Sequence, residues 1–422
     1  MSGGIRRISR TVVADVRPLR TSRAFRRLWV GGTVSNLGQQ MATVAVAIQV
    51  FDITGSSLAV GLLGAFGVVP LVVFGLYGGS IADAFDRRLV LLVASAGMAV
   101  CSVVLAVQAL AGWGQVWVLY AVVAAQSGFF AVTNPARQAI IPRLIGDEML
   151  PAANALQQVT WNLGFTVGPL LGGALIAITG DVTVAYLVDV ATFGAALYAV
   201  YRLPSVAPER HDGEQQRAGW AAVAEGLSFL RGKKNLLMTF LVDLNAMIFG
   251  MPRALFPAIA GAFYGGGAVV VGALSAAPAV GALLAAIFSG TLGRVRMQGR
   301  AVLISVIVWG AAIALFGATN ILWVGLLFLA IAGAADMVSA VFRSTILQVA
   351  TPDALRGRLQ GVFIVVVAGG PRLGDVESGV VAEWFGERVS VISGGVICVL
   401  GVFALAALFP AFARYDARDP QP

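Results

Sequence analysis

One histidine and two cysteines in 422 residues leave the chain with almost no ligands for a transition metal, and none at a metal-site spacing. The histidine, His211, lies in a polar loop beside Pro208 and Gly213, the setting of a solvated surface residue rather than a catalyst. Cys101 and Cys398 both sit in apolar runs and read as small core residues, not as a disulfide. Charge is scarce as well: Asp, Glu, Lys and Arg make up 12% of the chain, against about 25% in a soluble domain. The sequence has no Gly-x-x-x-x-Gly-Lys-Ser/Thr phosphate loop, so no nucleotide is expected as an energy source. No nucleophile or acid–base constellation points to an enzyme. We therefore expect no catalytic residues, no cofactor and no metal.

Apolar sequence is what the chain has in quantity. Hydrophobic residues are 58% of it and the mean hydropathy is +0.86. Apolar runs of about 20 residues recur between short charged loops, which predicts an all-α integral membrane protein. We place spans near 28–51, 57–81, 89–110, 115–135, 153–178, 183–202, 235–259, 267–291, 301–318, 321–343, 359–381 and 389–410. Twelve is even, so both termini fall on one side. The basic residues choose that side. Of 29 Lys and Arg, all but Arg253, Arg372 and Arg388 fall in the tails or in loops on the termini's face, Arg137, Arg143 and Arg343 included. The positive-inside rule then puts both termini in the cytoplasm. Such placement accounts for the net charge of +8 without nucleic acid. The expected organisation is a tail at 1–27, six helices over 28–202, a central cytoplasmic loop at 203–234, six helices over 235–410 and a tail at 411–422. From Trp220 to Leu230 the central loop has the pattern of a short amphipathic helix at the membrane surface.

The two halves echo each other. Arg137-Gln-Ala-Ile-Ile leads to Asp147 at the same step by which Arg343-Ser-Thr-Ile-Leu leads to Asp353. Gly164 and Gly168 in the fifth span match Gly370 and Gly374 in the eleventh at the same offset. Two parallel repeats of six helices, related by an axis along the membrane normal, describe the architecture of the major facilitator fold.

Several motifs carry a resemblance. The loop after the second span reads Gly78-Gly79-Ser80-Ile81-Ala82-Asp83-Ala84-Phe85-Asp86-Arg87-Arg88. It resembles the major facilitator loop signature, with Ala84 in place of the usual basic residue. Read physically, it is a latch: Gly79 allows close helix approach, Asp83 and Asp86 face a helix dipole or an arginine, and Arg87 and Arg88 face lipid headgroups. The fifth span carries Gly164-x-x-x-Gly168-Pro169-x-x-Gly172-Gly173, in which small residues permit close packing and the proline bends the helix. It resembles the antiporter motif of exporters in this superfamily. Two further stretches, Pro135-Ala-Arg137-Gln-Ala-Ile-Ile-Pro142 and Thr351-Pro352-Asp353-x-x-Arg356-Gly357-Arg358, narrow the match. Together they look like the exporter branch that includes the enterobactin exporter and related macrolide and multidrug efflux proteins. That resemblance implies twelve transmembrane helices in two six-helix bundles and export of a siderophore or lipophilic drug from a bacterial inner membrane. The expected partners are a small-molecule substrate, protons and the lipid bilayer, with the protein a monomer. An importer of the same fold and a non-transporting sensor are the alternatives.

Charges inside spans are candidates for function because they are costly there. Arg372 falls roughly 20 Å along a helix starting near Leu359, at a rise of about 1.5 Å per residue, which is mid-membrane. It is expected to line a central cavity and hold an anionic group, from substrate or from Asp375 one turn on. Glu377 projects elsewhere and joins the candidate substrate set with Asn36, Gln40 and Trp161. Asp243, beside Asn245, is a candidate proton carrier together with Asp336 and Asp375, since burial favours a carboxylate's neutral form. Asp336 shares a stripe with Arg343, and pairing there competes with proton carriage. Asp189 and Arg253 are expected near the outer ends of their spans, in reach of interfacial water.

Overall fold

The computed structural model describes residues 15–205, 228–230, 232–287, 295–350, 353–416 and 418, with backbone alone at 76, 78–84, 147, 350 and 353–365. Among the described residues the long elements are all helices. In chain order they are α1 (Arg23–Thr54), α2 (Ser57–Ala84), α3 (Arg87–Leu110), α4 (Val116–Ile145), α5 (Leu150–Thr179) and α6 (Thr183–Tyr201). The second half supplies α7 (Lys234–Tyr264) and α8 (Ala268–Ile287). It continues with α9 (Gln298–Ala318), α10 (Leu322–Ala350), α11 (Asp353–Phe385) and α12 (Glu387–Leu408). Ten of the helices are long and apolar enough to cross a bilayer. The two outside that set, α1 and α11, run 32 and 33 residues. They also carry most of the polar candidates: Asn36, Gln40, Arg372, Asp375 and Glu377.

Local chemistry sets the helix ends. Ser22 caps α1 by accepting a hydrogen bond from the Phe25 N–H at 3.2 Å. The helix stops at Gly55, whose φ of 62° suits a residue without a Cβ. α7 breaks between Phe249 and Phe256, where Pro252 lacks the N–H a continuous helix needs, and the 3₁₀ turn Arg253–Leu255 bridges the gap. Large apolar side chains cover the outside, among them Ile178 at 83% and Trp323 at 78% exposure. Such a surface suits lipid, where helices satisfy their own backbone groups.

The echo in sequence is an echo in packing. α1 packs on α5 and α6, α2 on α4, and α3 on α4 and α6. α7 packs in the same way on α11 and α12, α8 on α10, and α9 on α10 and α12. Two seams, α2 against α11 and α5 against α8, join the halves. These seams are the same contact seen from each half.

Several boundaries differ from expectation. α4 continues through Pro135 and Pro142 to Ile145, and α10 runs to Ala350, so Arg137, Arg143 and Arg343 lie within helices rather than in loops. Both helices extend because their ends stay packed within the half, as the buried Ile140, Ile141, Ile346 and Leu347 attest. The expected amphipathic helix from Trp220 falls almost wholly outside the described residues.

Candidate functional site

Three polar groupings lie inside this apolar frame. The first is in the N-terminal half. α1 and α5 approach closely because Gly164, Gly168 and Gly172 present no side chain to Asn36, Gln40 and Met41: a Cβ on Gly168 would stand 2.5 Å from that of Gln40, and one on Gly172 would stand 3.0 Å from the Met41 Cα. The Asn36 amide donates to the Thr160 carbonyl at 3.0 Å, and the Thr33 and Thr160 hydroxyls bond at 2.8 Å. Beside this contact is a cavity of about 70 Å³, lined by Asn36, Gln39, Asn134, Arg137, Gln157 and Trp161 among others. Trp161 stacks on Phe165 with ring centroids 5.8 Å apart and meets Phe130 edge-on at 5.9 Å. Asn36 and Trp161 therefore share a cavity wall, whereas Gln40 packs on Gly168 and is not part of that wall.

The second grouping is a buried charge cluster between α7 and α10. Arg343 forms an ion pair with Asp243, the two side chains only 6% and 4% exposed, and reaches Asp336 at 3.4 Å. Asp336 is 37% exposed, so it alone of the three opens to the surroundings. Asn245 does not cap Asp243. It donates instead to the Cys398 carbonyl at 2.8 Å.

The third grouping lies on the α2–α11 seam. Gly61 and Gly64 meet the main chain of Asp375 and Arg372, with the Arg372 carbonyl 2.5 Å from where a Gly64 Cβ would sit. The Arg372 guanidinium rests against Gly67 and donates to the Ser127 hydroxyl of α4 at 3.1 Å. Asp375 does not take Arg372 as an ion partner. Its carboxylate accepts from Arg253, brought over by the break in α7, at 3.1 Å. Glu377 is half-buried and makes no hydrogen bond or ion pair among the described residues. Past this point Ser56 donates to Glu383 at 2.9 Å and Ser57 to Glu387 at 3.1 Å, so the seam continues to the helix ends.

Other candidates are placed as follows. Asp189 is fully buried rather than interfacial, accepting a hydrogen bond from Ser102 at 2.6 Å, because α6 turns it inward against α1 and α3. Arg253, 43% exposed, does keep access to the surroundings. In the loop motif, Asp86 caps α3 by accepting from the Arg88 and Leu89 N–H groups at 2.8 and 3.3 Å. Arg87 and Arg88 donate to the carbonyls of Ala139 and Tyr201 at 3.1 and 2.6 Å, so they tie helices together rather than only facing headgroups. The surroundings of Gly79 and the side chain of Asp83 lie outside what is described. In the α5 motif, Pro169 and Gly173 face α8, with the Gly272 Cα 3.1 Å from a Gly173 Cβ. Sequence reasoning missed Arg137 and Arg343 as interior residues, and it missed Ser127 and the Gly61-x-x-Gly64-x-x-Gly67 row. The glycine spacing was the available signal for the last.

Comparison with known proteins agrees with this frame. A family model described as transmembrane secretion effector matches residues 13–422. The chain is 29% identical over 411 residues to the enterobactin exporter EntS of Shigella boydii serotype 18, covering 96% of each chain. EntS of Escherichia coli O81 matches equally, at 29% over 411 residues and 96% of each. Among solved structures, the nucleoside transporter NupG superposes with a TM-score of 0.70 at 15% identity, covering 92% of this chain and 99% of that one. A bacterial homologue of the human lysosomal transporter Spinster gives 0.73 at 15% identity, covering 94% and 98%.

Proposed function

Because this chain belongs to the transmembrane secretion effector family of major facilitator transporters, and so is a multi-pass bacterial membrane transporter and not an enzyme, we propose that it exports a small molecule by proton antiport. In this reading α1 and α11 complete twelve spans, both termini are cytoplasmic, the protein is a monomer, and it works by alternating access. The substrate is a siderophore or a lipophilic drug, in keeping with the named relatives and with the aromatic and amide lining around Trp161 and Asn36.

One observation carries the reading. Among the described residues, close contacts between the halves at Gly61, Gly64, Gly173 and Gly379 lie toward the helix ends remote from the chain termini. With cytoplasmic termini, these contacts close the outer side, as the state that collects a substrate from the cytoplasm requires. Asp243 and Asp336, sharing Arg343, supply the coupling site, with Asp375 and Arg253 on the outer seam as its counterpart. Arg87, Arg88 and Asp86, with Gly79 and Asp83, form the inner latch.

The test is substrate-driven proton flux in everted membrane vesicles, read with a pH-sensitive dye against catecholate siderophores, macrolides and cationic dyes. Alkalinisation of the acidified lumen by one compound class is expected. Silence toward every compound, together with uptake of a labelled panel member in right-side-out vesicles, would establish an importer instead.

A further inference from the structure

The repeat invites comparison of two arginines. Arg343 on α10 and Arg137 on α4 occupy the same place in the two sequence echoes. Arg343 is held by two carboxylates, Asp243 from α7 and Asp336 from its own helix. Arg137 has neither. The α1 residue under its guanidinium is Gly32, where a Cβ would stand 3.2 Å from the Arg137 Cζ. Phe130 precedes Arg137 by the same step at which Asp336 precedes Arg343. Among the described residues Arg137 makes no ion pair and no hydrogen bond. Its guanidinium instead lines the cavity of about 70 Å³ that it shares with Asn36, Gln39, Gln157 and Trp161.

An arginine inside a membrane protein is costly unless something supplies the opposite charge. The C-terminal half supplies that charge from the chain. The N-terminal half leaves it open, on a cavity, beside an aromatic wall. We propose that Arg137 is the anion-binding residue of the transport site and that it takes a carboxylate borne on a flat aromatic ring. A guanidinium fork matches a carboxylate in two parallel hydrogen bonds. The ring then meets Trp161 and Phe130 at the wall, and the amides of Asn36 and Gln157 complete the polar rim. The anion subsite belongs on Arg137 rather than on Arg372, which hydrogen-bonds Ser127 and does not line this cavity.

This inference rests on the small-molecule transport reading, and the experiment separates the two. Binding of 2-naphthoate and of its uncharged isostere 2-naphthamide is measured on the purified full-length protein in lipid nanodiscs, by thermal shift and tryptophan fluorescence. The wild-type chain is expected to prefer naphthoate by about tenfold or more, as for loss of a charge-assisted hydrogen-bond pair. Arg137→Gln removes the preference. Arg137→Lys keeps part of it, since the charge remains without the fork, and it guards against a folding defect in the first variant. Equal binding of the two probes, no naphthoate binding up to its solubility, or a preference that survives Arg137→Gln each overturns the proposal. Export is read separately. If a panel compound drives proton flux with unchanged KM in Arg137→Gln, the anion role fails while export stands; if no compound drives flux but naphthoate binds through Arg137, the site stands while export fails.

Discussion

Arg343 on α10 and Asp243 on α7 form an ion pair inside the C-terminal half, with side chains 6% and 4% exposed. Removing one partner strands the other's charge in a low-dielectric setting, at a cost of about 3–5 kcal/mol. Asp243→Leu and Arg343→Met are each expected to lower thermal stability sharply in the purified protein. The double variant with Leu and Met in these places should recover much of the loss, because neither charge is then orphaned. A double-mutant cycle checks this. Additive losses would mean the pair is not coupled.

The seams make a prediction that separates packing within a half from packing between halves. Gly168 faces Gln40 in its own half, whereas Gly173 faces Ala268 and Gly272 in the other. A leucine at either position overpacks a close helix contact, at a typical cost of about 1–3 kcal/mol. Gly168→Leu should appear as lost thermal stability. Gly173→Leu should instead prise the halves apart at this end, exposing a cysteine placed at the buried Ser57 to a membrane-impermeant maleimide added outside. Equal labelling of the two variants would refute the assignment of these glycines to different roles.

How far the sequence disclosed this arrangement depended on the scale of the pattern. Long apolar runs make helices visible, and the paired glycines Gly164/Gly370 and Gly168/Gly374 made the repeat visible, because both follow from local spacing. Pairing across helices does not. Arg372 and Asp375 are one turn apart on α11, yet Asp375 is taken by Arg253, which the break at Pro252 in α7 carries across the seam. Arg137 and Arg343 read as loop residues because hydropathy falls before the helices end; the backbone stays helical since Ile140 and Ile346 remain buried behind them. Asp189 looked interfacial by depth along its span, but rotation about the helix axis, which hydropathy does not record, turns it into the core.

Ser56 and Glu383, hydrogen-bonded at 2.9 Å, join the two halves at the end remote from the termini. Cysteines at both positions should cross-link with a short bifunctional reagent in the resting protein. Transport should stop on cross-linking and return on cleavage of a reducible linker. The native Cys101 and Cys398 are buried and should not compete. A cross-linked protein that still transports would show that this seam does not open in the cycle.

The C-terminal segment offers a pH prediction. Asp416 accepts from the Arg418 N–H and pairs with Arg296 at 2.6 Å, and both hold its carboxyl below the usual carboxylate range. For a lowered carboxyl, the stabilisation is fully present above the unfolded pKa, about 3.9, and is lost as pH falls through the folded value. Hydrogen-exchange protection of residues 410–416, corrected for intrinsic rate, should therefore stay flat from pH 8 down to about 5. Loss of protection near neutral pH would assign the docking to some other group.

Asp336 supplies the sharpest test of coupling. It shares Arg343 with Asp243, yet its side chain is 37% exposed against 4% for Asp243. In the proton-coupled reading proposed above, the more exposed Asp336 is the carboxylate that a proton reaches first. Protonation there weakens its hold on Arg343 and leaves the guanidinium to Asp243 alone, which gives α7 and α10 two charge arrangements to alternate between. Asp336→Asn mimics the protonated state and keeps the shape, so the protein should fold and still move substrate down its gradient. Substrate-driven proton flux should fall to background, and the pH dependence of transport should flatten. Asp243→Asn should instead cost stability along with all transport, because the buried guanidinium loses its closest partner. If Asp336→Asn retains full proton flux, the coupling carboxylate lies elsewhere, and Asp375 on the outer seam becomes the next group to neutralise.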